Sequence, residues 1–101
     1  MFYQVIHTHT HASCPARNPE MAEQFSTWWE TFKQTDGIRL HVGAVAPVPH
    51  TFYLFVETDD YSALVRALAW LNSIGSGDIV PVVPLDLGMG MVREGVYYAD
   101  K

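Results

Sequence analysis

The sequence predicts one α+β domain in which four strands and two helices follow the order β-α-β-β-α-β. Three observations support this prediction. The chain has 101 residues, the length of a single domain. Several short segments are rich in β-branched and aromatic residues, which is typical of strands. Two further segments carry apolar residues at helical spacing. Apolar residues make up 49% of the chain and charged residues 17%, as in an ordinary globular protein.

The first part of the chain is predicted to form a strand and then a helix. Residues 2–11 are rich in β-branched and aromatic side chains and predict the strand. Asn18 and Pro19 predict the helix start, because asparagine is a favoured N-cap and proline is tolerated at the first helical position. Gly37 predicts its end. The apolar stripe of this helix consists of Met21, Phe25, Trp28, Trp29 and Phe32.

The second part is predicted to form a hairpin, a helix and a fourth strand. Residues 38–46 and 51–58 read as strands that the turn 47–50 joins. Asp59 or Asp60 caps a helix with the stripe Leu64, Leu68 and Leu71, and the glycines of residues 75–77 stop it. Residues 79–85 form an edge strand, because prolines within it cannot donate to a ladder.

The chain is therefore divided into a domain of residues 1–87 and a C-terminal tail of residues 88–101. The tail is rich in glycine and methionine, then continues as Val96-Tyr97-Tyr98, and is available to pack on a partner subunit. The predicted order is the split β-α-β, or ferredoxin-like, pattern. It implies an antiparallel four-stranded sheet of order 4-1-3-2, with both helices on one face.

The third strand bears on the oligomeric state. Residues 52–56 are apolar at every position, so both faces of the sheet require cover. Two helices cover only one face. A second copy packed on the other face would bury it, which predicts a homodimer.

Composition excludes several classes of partner. The net charge of −5 and the scattered basic residues disfavour binding to nucleic acid or to a membrane surface. No apolar run approaches the ~20 residues of a membrane span, and no signal peptide is recognisable. Cytoplasm is the expected location, and a single cysteine suits a reducing compartment. There is no glycine-rich phosphate loop, so no nucleotide cofactor is indicated.

The most informative motif is a run of alternating histidines near the N-terminus. His7, His9 and His11 recur at every second position, and Cys14 follows. Side chains of a strand alternate between its faces, so this period places the three imidazoles on one side. Imidazole and thiolate are the ligands that borderline-soft metals select. The motif predicts a site for a divalent transition metal, with zinc favoured.

Topology adds His50 to this site. The first strand ends at the edge of the sheet where the turn between strands two and three lies, so His50 should approach the cluster. His41 lies at the opposite edge and is not assigned to it. The predicted ligands, in order of preference, are His9, Cys14, His50, His11 and His7. If three protein ligands bind, water completes the site and allows Lewis-acid or hydroxide chemistry.

Other readings of the same residues stay open. The histidines also fit a metal-free polar pocket or a solvated strand end, and a Cys14–His nucleophile lacks an identifiable third group. The chain is alternatively a metal-independent barrel enzyme, monooxygenase- or isomerase-like, with a histidine acid–base in an aromatic cavity, or a small-molecule-binding stress protein. Candidate cavity-lining residues are Tyr3, Tyr53 and Phe55. The sequence does not decide whether the protein is an enzyme.

The element order also carries a resemblance. The chain resembles the dimeric α+β barrel superfamily, in which two ferredoxin-like units close into a barrel. Locally it is similar to short bacterial proteins of unassigned activity, through the run from His7 to His11 with Cys14-Pro15, the turn at His50 and the segment 79–84. The superfamily includes monooxygenases, muconolactone isomerase-like enzymes, haem-handling enzymes and stress-response proteins. The resemblance therefore implies the architecture and the dimer but no one activity.

Overall fold

The computed structural model describes residues 1–96, which fold into strands and helices. Tyr97 and Tyr98, assigned to the tail above, lie outside this range. In chain order the elements are β1 (Phe2–His9), α1 (Pro19–Lys33), β2 (Arg39–Ala46), β3 (Thr51–Glu57), α2 (Tyr61–Ala67), α3 (Ala69–Ile74), β4 (Gly75–Val82) and α4 (Leu85–Arg93). A 3₁₀ turn, Pro15–Arg17, precedes α1.

The four strands form one antiparallel sheet with the order β2-β3-β1-β4. This is the order predicted above, and it leaves β2 and β4 as the edge strands. Val5 of β1 pairs with Leu54 of β3 on one side and with Ile79 of β4 on the other. Pro81 is tolerated in β4 because an edge strand has one side without a ladder.

Helices cover one face of the sheet, called here the covered face. Its buried side chains are Tyr3, Val5, Leu54 and Val56, and they pack with Phe32, Leu64, Leu68 and Leu71 from the helical side. The Trp28 indole N–H donates to the Ala67 carbonyl at 2.8 Å and ties α1 to α2. The predicted α+β class, with helices packed on a four-stranded antiparallel sheet, is confirmed.

The start of α1 agrees with its prediction. Asn18 is the N-cap, its side-chain oxygen accepts from the Met21 backbone N–H at 2.8 Å, and Pro19 is the first helical residue. The second predicted helix is instead divided at Leu68 into α2 and α3. Leu68 has φ −93° and ψ 3°, outside the helical region, yet its side chain remains in the core.

Two strand boundaries differ from their predictions. β1 ends at His9 and not at residue 11, because Thr10 and Ser13 turn the chain: the Thr10 N–H donates to Ser13 Oγ at 3.0 Å, and the Ser13 N–H donates to Thr10 Oγ1 at 3.2 Å. β4 begins at Gly75 and ends at Val82, so the predicted glycine stop is the start of the strand. A Cβ at Gly77 would collide with the Ile6 carbonyl oxygen, so glycine permits close pairing with β1.

Residues 85–93 form a helix, which spans the predicted boundary between the domain of residues 1–87 and the tail that begins at Gly88. Its apolar side chains are largely exposed, with Leu85 78% and Leu87 57% accessible. The radius of gyration is 16.2 Å, against about 13 Å for a compact domain of this length. Within residues 1–96, every helix is too short or too polar to cross a membrane.

Candidate metal centre

Pairing between β1 and β3 brings His9 and His50 together. The last bridged pair is Thr8 with Thr51, and one step further the His9 N–H donates to the His50 carbonyl at 3.1 Å. The two imidazole centroids are 5.3 Å apart and the rings meet edge to face at 67°. Backbone hydrogen bonds therefore fix this pair of residues before any ligand is considered.

His50 has an unusual backbone conformation. It closes the turn between β2 and β3 through its N–H, which donates to the Pro47 carbonyl at 3.2 Å. Its φ is +51°, in the left-handed region that non-glycine residues rarely adopt, although histidine is among the more tolerant types. Backbone outliers of this kind cluster at functional sites. Glycine is the usual residue in this conformation, but it has no side chain. At this position of the turn, histidine provides an imidazole.

Cys14 reaches the same point from the loop after β1. The Thr10–Ser13 bonds reverse the chain, and the Cys14 carbonyl accepts from the Arg17 N–H at 2.9 Å in the turn that follows. The thiol is free and half-buried. This loop carries Cys14 back toward the end of β1.

The three residues His9, Cys14 and His50 meet. One ligand atom from each lies within 4.8 Å of the other two. His9 is buried, and Cys14 and His50 are half-buried, so the cluster lies between the core and the surface. Two imidazole nitrogens and one sulfur are a donor set that suits zinc. These are the first three of the ligands predicted from the sequence.

His7 lies behind His9 on the covered face. Its Nε2 is 3.3 Å from His9 Nδ1, a hydrogen bond between the rings. The His7 side chain is only 2% exposed and stacks on Phe52 at 5.5 Å with an angle of 12°. His7 is thus a neighbour of a candidate ligand and not a member of the three-residue cluster.

Two buried nitrogens in this pair have no hydrogen-bond partner among the described residues, His7 Nδ1 and His9 Nε2. Because His9 Nδ1 is engaged by His7, Nε2 is the nitrogen left to bind a ligand. An unpaired buried polar atom costs free energy, about 1–3 kcal/mol, that a metal bond would remove. The histidines therefore fit a metal at His9 Nε2.

The electrostatics favour neutral imidazoles. Burial, and secondarily the charge of His9, lower the pKa of His7 from 6.5 to about 4. Burial and then the charge of His50 lower the pKa of His9. Both rings are accordingly neutral at pH 7, and the neutral form is the one that binds metals.

Gly75 of β4 makes space for these two rings. A Cβ at this position would lie 2.8 Å from His7 Cε1 and 3.0 Å from His9 Cβ, and would collide with the Thr8 carbonyl oxygen. Gly75 was predicted from the sequence to stop a helix, and its packing role against the histidines was not predicted. Gly75 pairs with His9 at the end of β1, and this pairing becomes evident only when the register of β4 is known.

His11 does not share the face of His7 and His9, because the strand ends before it. It is exposed, and its ring meets that of His50 edge-on at 5.8 Å. Together with Cys14, Ala16 and Arg17 it lines a surface hollow beside the cluster. It is close enough to approach the cluster from outside but is not one of the three converging residues.

The remaining candidate residues lie elsewhere. Tyr3 is buried on the covered face, 5.6 Å from the Tyr61 ring. Tyr53 and Phe55 lie on the opposite face, called here the open face, where Tyr53 is 41% exposed. His41 is at the far end of the sheet, and its Nε2 lies 3.0 Å from Glu57 Oε1. His41 was not assigned to a site from the sequence, and its pairing with Glu57 was not predicted.

Comparisons with known proteins give a family and no activity. A family model described as a domain of unknown function (DUF3303) matches residues 1–96. No curated protein and no solved structure matches the chain.

Proposed function

The chain belongs to the DUF3303 family of domains of unknown function, and from the geometry of its His/Cys cluster we propose that it is a small metal-binding protein. The proposed ligands are His9, Cys14 and His50, and zinc is the favoured metal. The observation that carries the proposal is the approach of three ligand atoms from three separate segments to within 4.8 Å of one another.

The distances suit a tetrahedral ion after a small adjustment. Ligand atoms around zinc lie about 3.3 to 3.6 Å apart, given bonds of about 2.0–2.3 Å. The ligand atoms of the cluster lie within 4.8 Å of one another, so they need to approach by roughly 1 Å to bind one ion. Rotation of the half-buried Cys14 and His50 side chains would supply this movement. His9 is held by the ladder and stays in place.

The fourth position admits two occupants. His11 lies beside His50 on the solvent side, with ring centroids 5.8 Å apart, and its rotation inward would complete an N₃S site. Otherwise water occupies the position, as in zinc sites that activate a hydroxide. The first arrangement serves storage, sensing or structure, and the second leaves the metal open to a substrate.

His7 supports this site through a hydrogen bond and is not a ligand in the proposal. When His9 binds metal through Nε2, its Nδ1–H donates to His7 Nε2, the pair that lies 3.3 Å apart. Metal-bound histidines commonly donate their second ring N–H to a fixed acceptor, and loss of such a partner typically lowers affinity 10–100-fold. We expect a loss of this size in His7→Phe, which keeps the ring and removes the acceptor.

Elemental analysis of the full chain, purified without nickel affinity and incubated with zinc, tests the proposal. We expect about one metal ion per chain, since the three ligands form one site. Cobalt substitution then reports the thiolate ligand, because a Cys14–Co²⁺ bond gives a charge-transfer absorption that Cys14→Ser must lose. Arg17→Gln, in the same hollow but without a ligand atom, is the matched control and should keep both signals.

Two results would overturn the proposal. One is a zinc content below about a tenth of an equivalent in folded protein, too little for a specific site. The other is an unchanged cobalt spectrum in Cys14→Ser.

The cytoplasm is the proposed location, because a reducing compartment keeps Cys14 available as a thiol.

A homodimer that forms an α+β barrel is the second part of the proposal. It is supported by exposed apolar side chains on the open face, where Val42 is 58%, Tyr53 41% and Val80 41% exposed. Several apolar residues of α4, among them Leu85 and Leu87, are also left exposed by the rest of residues 1–96. A second copy placed on the open face, with α4 packed on its partner, would bury both surfaces.

Light scattering at micromolar concentration tests the dimer. We expect about twice the chain mass, because an interface of standard size holds at that concentration. Tyr53→Glu places a charge on the open face and should yield monomer, whereas Glu23→Gln, on the exposed side of α1, should not. A monomeric wild-type chain would contradict the barrel.

A further inference from the structure

The far end of the open face holds a polar pair that the metal proposal does not use. His41 Nε2 and Glu57 Oε1 are 3.0 Å apart. His41 lies near the start of the edge strand β2, and Glu57 is the last residue of β3. The pairing register shifts between Leu40 and Val42, so His41 is the extra residue of a β-bulge. Bulges turn a side chain away from its regular direction, and here the bulge brings His41 to Glu57.

Aromatic rings flank this pair. Phe2 and Phe55 stack with centroids 5.6 Å apart and an angle of 21°. The His41 ring lies 5.6 Å from Phe2 and 5.8 Å from Phe55. The result is a small aromatic platform with one imidazole at its side.

The chemistry of the pair fixes the tautomer of His41. A Glu57 carboxylate only accepts hydrogen bonds, so the imidazole nitrogen facing it, Nε2, carries the proton. In the neutral ring Nδ1 is then an acceptor. The side chain presents a hydrogen-bond acceptor next to apolar ring faces, a combination that recognises a planar molecule with one polar donor.

We propose that Phe2, His41, Phe55 and Glu57 form a binding site for a small planar aromatic molecule that bears a hydroxyl group. Its ring packs on Phe2 and Phe55, and its hydroxyl donates to His41 Nδ1. Glu57 acts as a positioning residue, since it holds the tautomer of His41. This site lies at the opposite end of the sheet from His9, Cys14 and His50, and it goes beyond the proposed metal function.

An apolar groove on the covered face offers a second place where an aromatic molecule could bind, but without the polar pair of the proposed site. It lies between α1 and β2, has a volume of about 190 Å³, and is lined by Phe25, Trp28, Trp29, Val45, Phe52 and Leu54 among others. No side chain in its lining can accept a hydrogen bond, because the residues there are apolar except for the two indoles, which only donate. The hydroxyl of a ligand in this groove would therefore find no side chain to which it could donate a hydrogen bond.

The proposed site adjoins the surface assigned to the dimer, because Phe55 pairs with Val42. His41 and Glu57 lie at a corner of the sheet, where an edge strand begins and β3 ends, and their side chains are 28% and 39% exposed. A molecule bound there would lie at the rim of a sheet-to-sheet dimer. The site belongs to one chain and does not need the partner.

Titration of the full chain with 2-naphthol and with 2-methoxynaphthalene tests the proposal. The second compound has the same ring system but no donor. Amide and aromatic shifts followed by NMR locate the ligand, and a chelator keeps metal absent, so that the outcome is independent of the metal centre. We expect saturable binding of 2-naphthol at the open face, about tenfold tighter than that of 2-methoxynaphthalene, as one hydrogen bond provides.

Variants distinguish binding at the His41–Glu57 site from binding in the groove. His41→Phe keeps an aromatic ring and removes the acceptor, so it should abolish the preference for 2-naphthol. Glu57→Gln should weaken that preference, and Phe25→Leu, in the groove, should leave it intact. Equal affinities for the two compounds, absence of saturation, or shifts confined to the groove would each overturn the proposal, and the comparison on wild-type protein needs no variant to fold.

Discussion

The titration of His7 gives a prediction whose size follows from the structure. Burial, aided by the charge of His9, lowers the pKa of His7 from 6.5 in an ordinary environment to about 4. One pKa unit corresponds to about 1.4 kcal/mol, so protonating this ring in the folded protein is disfavoured by roughly 3 kcal/mol.

The sign follows from which state binds the proton. Above pH 6.5 His7 is neutral in both states and has no effect on the pH dependence. Between 6.5 and about 4 the unfolded chain binds a proton that the folded chain does not, so stability falls as the pH falls. Between pH 7 and pH 5 the expected loss from His7 is about 2 kcal/mol. The lowered pKa of His9 acts in the same direction.

Urea unfolding of metal-free protein at pH 7, 6 and 5 measures this loss. His7→Phe is the comparison, because phenylalanine retains the stacking on Phe52 and cannot titrate. We expect the free energy of unfolding of the variant to change with pH by about 2 kcal/mol less than that of the wild type. Parallel curves for the two proteins would refute the assignment of a buried, neutral His7.

Three further predictions concern individual residues. Gly75→Ala should lower the free energy of unfolding by about 1–3 kcal/mol, because the added Cβ would collide with the Thr8 backbone and the His7 ring. Gly90→Ala is the control, since no atom of residues 1–96 beyond its chain neighbours and its own helix backbone lies within 4 Å of its added Cβ, and an equal loss of stability in both variants would contradict the packing argument. Asn18→Ala should cost about 1 kcal/mol in thermal or urea unfolding through loss of the N-cap bond to Met21. His50→Asn should keep the fold, since asparagine also tolerates the left-handed backbone, yet lose zinc; retained zinc at full affinity would remove His50 from the site.

The sequence determined much of the architecture because the relevant signals are local. The N-cap at Asn18 and the stripe through Phe32 define α1, and the enrichment in β-branched and aromatic residues indicates the strands. The boundaries of β1 and β4 were wrong for a different reason. The bonds between Thr10 and Ser13 end β1, and Gly75 is a strand residue because it packs on β1, which is a contact between segments far apart in sequence.

The candidate site shows the same division. The convergence of His9, Cys14 and His50 was predictable, because strand order alone places the end of β1 next to the β2–β3 turn. The different positions of His7 and His11 were not predictable from the sequence. Both residues fit a period of two, and only the end of β1 at His9 removes His11 from the strand. The His41–Glu57 pair depends on a bulge between Leu40 and Val42, and a register shift of one residue leaves no mark in composition or spacing.

The depth of the cluster has a kinetic consequence. His9 is sealed below by His7 and Gly75, while Cys14 belongs both to the cluster and to the hollow shared with His11 and Arg17. The half-buried Cys14 and His50 and this hollow form the solvent side of the cluster, so we expect a bound ion to exchange with solvent through this side.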